Sequence, residues 1–82
     1  MNICFLYGKI ISEIDFKFII NSKNVSVVRF DIILRNNSII RVKAYNKLAD
    51  YCYKNFKKYD KIYIYGKIVN NEIRIKEIQK NI

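Results

Sequence analysis

The sequence predicts an all-β fold: a five-stranded closed barrel with one α-helix between strands three and four. Three observations lead there. The apolar residues are mainly Ile, Val, Tyr and Phe, types that pack well on pleated strands. They alternate with polar residues along most of the chain, the period of a half-buried strand. A single stretch carries the i, i+4, i+8 spacing of a helix instead.

Taken in order, Asn2 to Ser12 alternates as a strand, with Cys4, Leu6, Gly8 and Ile10 on one face and Ile3, Phe5, Tyr7 and Lys9 on the other. A second extended run, Ile14 to Ile20, continues it as one long bent strand. Asn21-Ser22-Lys23-Asn24 reads as a turn. Val25 to Arg35 follows, with Val28, Phe30, Ile32 and Leu34 opposite Arg29, Asp31, Ile33 and Arg35. Asn36-Asn37 makes a tight turn, because Asn tolerates positive φ. In Ser38 to Tyr45, Ile40, Val42 and Ala44 lie opposite Ile39, Arg41, Lys43 and Tyr45. The helix covers about Lys47 to Phe56, with Asn46 as N-cap and an apolar stripe of Leu48, Cys52 and Phe56 widened by Ala49. Lys61 to Val69 has Ile62, Ile64 and Ile68 as inward candidates, against Lys61, Tyr63, Tyr65 and Lys67 outside. Asn70-Asn71 is a two-residue hairpin turn. Glu72 to Ile78 closes the set, with Ile73 and Ile75 opposite Arg74 and Lys76. A bent strand, two strands, a helix and a hairpin is the OB-fold order, and closure removes edges that so small a sheet would expose.

The 82 residues make one domain, 1–82. A core this thin makes self-association a natural way to bury more surface. Sixteen Lys and Arg face seven Asp and Glu, a formal charge of +9, which suits a polyanionic partner. A genome rich in A and T would also raise Lys, but would raise Glu with it, and Glu is scarce. There is no His, and Cys4 and Cys52 fit no metal-ligand spacing. They read as small apolar residues in a reducing compartment, with a disulfide between them as the minor alternative. No metal and no cofactor is expected. No apolar run reaches the length of a membrane span, and the first residues lack the marks of a signal peptide; the expected location is the cytoplasm.

Three segments resemble the bacterial single-stranded DNA-binding proteins. Arg41-Val42-Lys43-Ala44-Tyr45-Asn46-Lys47-Leu48-Ala49-Asp50 matches a strand ending in an aromatic residue, a small polar or Gly residue, then Lys-Leu-Ala and an acid. Asn2-Ile3-Cys4-Phe5-Leu6-Tyr7-Gly8-Lys9-Ile10 looks like the family's first strand. Lys57-Lys58-Tyr59-Asp60-Lys61-Ile62-Tyr63-Ile64-Tyr65-Gly66-Lys67-Ile68 looks like its basic turn and fourth strand. The resemblance implies an OB fold, single-stranded DNA as ligand, and a homodimer or homotetramer. It places Tyr45 at a base-stacking position and Arg41, Lys47 and Lys58 near the DNA. Ile39 stands where the family often has a stacking Trp. The turns at Asn36-Asn37 and Asn70-Asn71 are shorter than the family's DNA-wrapping loops, and the chain ends without its acidic tail, so recruitment through that tail is not expected. A short, tailless member resembles the primosomal replication protein N branch, or a plasmid- or phage-encoded relative.

Non-specific single-strand binding needs cations along the phosphates and flat rings against the bases. Arg41, Lys43 and Tyr45 supply both from one strand face. Neighbouring strands add Arg29, Arg35, Tyr63, Tyr65, Lys67, Arg74 and Lys76 as DNA-binding candidates. Such Tyr residues also serve as cross-strand packing partners, and such Lys residues as guards against aggregation; Tyr63 and Tyr65 fit a subunit contact equally well. Tyr51, Tyr53 and Tyr59 read as packing residues beside the helix. Ile3, Phe5 and Tyr7 form an apolar stripe on a surface face, the mark of an interface, here a homodimer through the first strands. Gly8 and Gly66 read as structural, at bends of a small barrel. Asp50 reads as a favourable charge in the first helical turn. No paired carboxylates or phosphate loop point to catalysis, and the chain is not expected to be an enzyme. Two functions fit: a single-stranded DNA-binding protein of replication, recombination or repair, or an OB module for assembly with weak nucleic-acid binding. The residues themselves do not separate DNA from RNA; the resemblance favours DNA.

Overall fold

The computed structural model describes residues 2–20 and 23–81. Its elements are β1 (Ile3–Ile10), β2 (Asp15–Ile19), β3 (Val25–Leu34), β4 (Ile39–Tyr45), α1 (Asn46–Asn55), β5 (Lys61–Val69) and β6 (Glu72–Lys80). The pairing runs β1-β5-β6-β4-β3 and returns from β3 to β1, closing a barrel. All pairs are antiparallel except β4–β6. This is an OB-fold barrel with its helix where the alternation put it.

Two segments stand for the bent first strand. β1 pairs with β3 at Ile10↔Ile32, and β2 pairs with the same strand at Asp15↔Arg29. Between them the chain bulges, pinned where the Ile11 N–H donates to Asp31 O at 2.9 Å and the Ser12 hydroxyl accepts from the Asp31 N–H at 2.8 Å. The five-stranded barrel therefore holds, with strand one in two arms.

The inward faces are those of the sequence pattern. Ile10, Val28, Phe30, Ile32, Val42, Ala44, Ile62, Ile64, Ile73 and Ile75 fill the barrel, and Ala49, Cys52 and Phe56 of the helix side join them. Burial pushes the Cys52 thiol up to about 12, so it stays protonated and inert; both cysteines are free. Ile68, expected inside, is 42% exposed, because β5 runs past the core to the rim, where Ile68 N–H bonds Asn2 O.

Asparagine makes most of the bends. Asn70 and Asn71, at φ 51° and 64°, form the two-residue hairpin turn. The other hairpin is longer than expected: the Leu34 N–H reaches Ser38 O, leaving a three-residue loop that ends on Asn37 at φ 68°. Of the turn after β2, Asn21 and Ser22 lie outside the described residues. Asn46 is not the N-cap. That position belongs to Tyr45, no side chain caps the helix, and Asn46 takes φ 56° because the chain turns from β4 into α1 with no linker. Asp50 consequently lies beyond the first turn, which holds no acid. Tyr59 adopts φ 80° and is 65% exposed, so it is not the packing residue expected; its N–H is held by Ile10 O at 2.7 Å. Tyr53 and Tyr51, also exposed, do touch Phe16 and Phe56 respectively.

Neither glycine uses a left-handed backbone. Gly66 sits at the β5–β6 bulge, where Lys76 is the unpaired residue. A Cβ there would lie 2.7 Å from Arg74 O, and one at Gly8 would lie 2.7 Å from Ile33 O. Close backbone approach requires both.

Candidate nucleic-acid interface

The strand registers bring cations into one row across the outer surface. Arg29 of β3 lies opposite Lys43 of β4, Lys43 opposite Arg74 of β6, and Arg74 opposite Lys67 of β5. The row runs perpendicular to the strands and crosses the β4–β6 junction. On β4 it is flanked by Arg41 on one side and Tyr45 on the other. The Arg74 guanidinium lies 4.6 Å from the centre of the Tyr45 ring, which fixes the ring and occupies one face of it. A cleft of about 120 Å³ opens there between Lys43, Tyr45, Asn70, Glu72 and Arg74.

Carboxylates sit among these cations. Arg29 pairs with Asp15 at 2.9 Å, Arg41 with Asp31 at 3.0 Å and Lys43 with Glu72 at 2.9 Å. The hydrogen bond and the charge of Asp31 raise the Arg41 pKa above its ordinary value, with smaller help from Glu72 and Asp15. These are solvent-exposed or half-exposed pairs, and solvent screens them strongly. A phosphate can replace such a carboxylate at little expense. Alternation places the cations on the outer face, but only the register brings these carboxylates beside them.

The other predicted residues fall elsewhere. Lys47 is in the first turn of α1, directly after Tyr45-Asn46. Lys58 lies in the loop before β5, 5.3 Å from the Tyr59 ring centre. Arg35 is in the β3–β4 turn and Lys76 at the β6 bulge. Tyr65 adjoins the row, two residues from Lys67 on the outer face of β5, and Tyr63 lies two residues farther along. They stack on Phe5 and Tyr7 of β1 respectively, each pair with ring centres 4.8 Å apart. With Ile78, Glu77 and Gln79 they line a groove of about 620 Å³, in which Phe5 is 79% exposed. The structure thus has a cationic row and, adjoining it at Lys67, an aromatic face. Among the described residues, no group of His, Cys, Asp and Glu is arranged to hold a metal, and no helix is long and apolar enough to cross a membrane.

No protein-family profile and no curated protein matches the sequence. Solved structures do match. The single-stranded DNA-binding protein of Thermus aquaticus superposes with a TM-score of 0.88 at 18% identity, covering 100% of this chain and 41% of that one. The SSB domain of a Synechococcus sp. protein gives 0.82 at 13% identity, over 96% of this chain and 94% of that one. The likeness is one of fold: an OB barrel shared with bacterial single-stranded DNA-binding proteins, in a chain spanning about two-fifths of the Thermus aquaticus protein.

Proposed function

We propose that this chain binds single-stranded DNA without sequence preference and acts in replication, recombination or repair in the cytoplasm. The cation row carries the reading: Arg29, Lys43, Arg74 and Lys67 in register, with Tyr45 fixed at its edge. Phosphates follow the row, and a base stacks on the free face of Tyr45. Arg41 joins once Asp31 gives way, and Lys47 extends the path beyond Tyr45. The fold shared with DNA-binding proteins supports DNA over RNA.

Titration with oligo-dT, oligo-rU and duplex DNA across a salt series tests this. Single strands are expected to bind tighter than duplex, with a log–log salt slope of about −0.7 per phosphate neutralised. Tyr45→Ala is expected to weaken oligo-dT binding by about 1–3 kcal/mol, the value of one base–aromatic stack. Equal binding to all three ligands, or none, would overturn the reading.

The aromatic face supports self-association rather than stacking on DNA. β1 pairs with β3 only from Gly8 onward, so residues 3–7 have a strand on one side alone. Ile3, Phe5 and Tyr7 project from that half-paired stretch, an edge open to a second copy. A dimer joined there, or a tetramer of such dimers, brings several rows into one footprint. Light scattering is expected to give at least twice the 9.9 kDa monomer mass, and Phe5→Asp to return it to one; a monomeric mass for the unaltered chain at high concentration counts against it. The same exposed rings are what favours the second reading, an assembly module, and the oligonucleotide titration separates the two.

A further inference from the structure

We propose a second phosphate-binding site, formed by Lys9, Arg35 and Lys61 at the far end of the β1–β5 pair from the cation row; the identity of its ligand rests on the single-strand reading above. Lys9 and Lys61 are direct cross-strand partners. The bond from the Ile10 N–H to Asp60 O shows that even-numbered residues of β1 make the hydrogen-bonded pairs. Lys9↔Lys61 is therefore a non-bonded pair, the kind whose side chains approach most closely. Like charges directly opposite each other destabilise a sheet. A barrel with a thin core has little reason to hold such a pair unless an anion joins it.

The surroundings agree. A cleft of about 380 Å³ is lined by Tyr7, Lys9, Arg35, Asn37 and Lys61. Lys9, Arg35 and Lys61 have no carboxylate partner among the described residues, whereas Arg29, Arg41, Lys43 and Lys80 each have one. Asp60, next to Lys61 in the chain, is turned away: its carboxylate accepts from the Lys57 N–H at 2.9 Å and pairs with Lys80 at 3.5 Å. The site thus offers a fork and two ammonium groups with no carboxylate among the described residues to neutralise them, the chemistry of a phosphodiester or phosphate clamp. Lys61 lies six residues along β5 from Lys67 of the row, about 20 Å at strand rise. A strand that leaves the row at its other end, over Arg29, and follows the outer face of β3 past the Asp31↔Arg41 pair reaches Arg35 at this cleft without crossing the aromatic face.

Oligo-dT of about 4 and about 16 nucleotides, the range of site sizes for one OB fold, separates the sites. Lys61→Glu and Lys9→Glu, tested singly, are expected to leave the short oligomer's affinity unchanged and to weaken the long one by about tenfold. Each also converts the like-charged pair into an ion pair, so thermal unfolding is expected to move up by a few degrees while binding falls. Equal affinity for the long oligomer in both variants and the unaltered chain would overturn the site. So would the same loss for both lengths. If tripolyphosphate raises the melting temperature of the unaltered chain but not of Lys61→Glu, and neither oligomer is affected, the cleft takes small anions and the nucleic-acid assignment fails. If the unaltered chain binds neither oligomer, the function itself is at fault.

Discussion

Reversing Lys43 and Arg74 together, as Lys43→Glu with Arg74→Glu, is expected to lower oligo-dT affinity by about 100-fold or more. The two face each other across the β4–β6 junction at the centre of the row. A hydrogen bond to a charged group contributes about 1.5–3 kcal/mol, so two phosphate contacts together contribute about 3–6 kcal/mol. Lys43 must first leave Glu72, which offsets at most about 1 kcal/mol; the lower end of the range is therefore the expectation. The salt slope is expected to shrink by about 1.4, two contacts at 0.7 each. Arg74→Glu also releases the Tyr45 ring, so stacking suffers as well. Lys54→Glu, in the last turn of α1, changes net charge in the same sense and is expected to change affinity far less. Fluorescence titration at two salt concentrations checks all of this, and comparable losses from Lys54→Glu would refer binding to net charge rather than to the row.

Gly66→Ala is expected to be the most damaging single methyl that can be added to the barrel. The new carbon would stand 2.7 Å from Arg74 O and 2.9 Å from Ile73 Cγ2. The first of these is backbone and cannot rotate away. Overpacking of this kind costs about 1–3 kcal/mol, against a total of roughly 4–12 kcal/mol for a chain of this length. In a domain of this size each kcal/mol shifts the midpoint by about 4–8 °C, so a fall of about 4–24 °C is expected in a thermal melt. Relief of the clash moves the backbone at Arg74, and oligo-dT affinity is expected to fall with stability. A variant that melts within a degree or two of the parent would show that the bulge absorbs the carbon.

Alternation with period two made the barrel legible. The apolar core residues of the strands from Ile10 to Ile75 could be read from their neighbours two positions away, because one face of each strand is buried, whereas buried Ser26 and exposed Ile68 could not. The helix was equally plain from Cys52 and Phe56. The bulge left its trace too: Ile73, Ile75 and then Ile78 break the alternation by one position, where Lys76 loses its partner. What the sequence left open is register. Lys67 and Arg74 flank the two-residue turn at Asn70-Asn71, but their alignment with Lys43 and Arg29 on the other strands follows only from the β4–β6 junction. Tyr63 and Tyr65 fit DNA and a subunit contact equally on alternation alone, and their stacking on Tyr7 and Phe5 follows from the β1–β5 register. Lys9 and Lys61 carried no local signal at all, since each is an ordinary polar position on its own strand. Asn46 and Tyr59 show a second limit. Their positive φ follows from how adjoining elements meet, which composition does not encode beyond the general tolerance of Asn.

The parallel junction of β4 with β6 rests on two residue pairs, Val42↔Ile73 and Lys43↔Arg74, while β4 meets β3 over seven. This junction is a seam of the barrel, and one of its two stitches joins two cations, Lys43 with Glu72 beside it and Arg74 against the Tyr45 ring. A polyanion laid across Lys43 and Arg74 would act as a clasp, joining two strands that only two residue pairs hold together. Ligand binding and the integrity of the barrel then become one equilibrium rather than two.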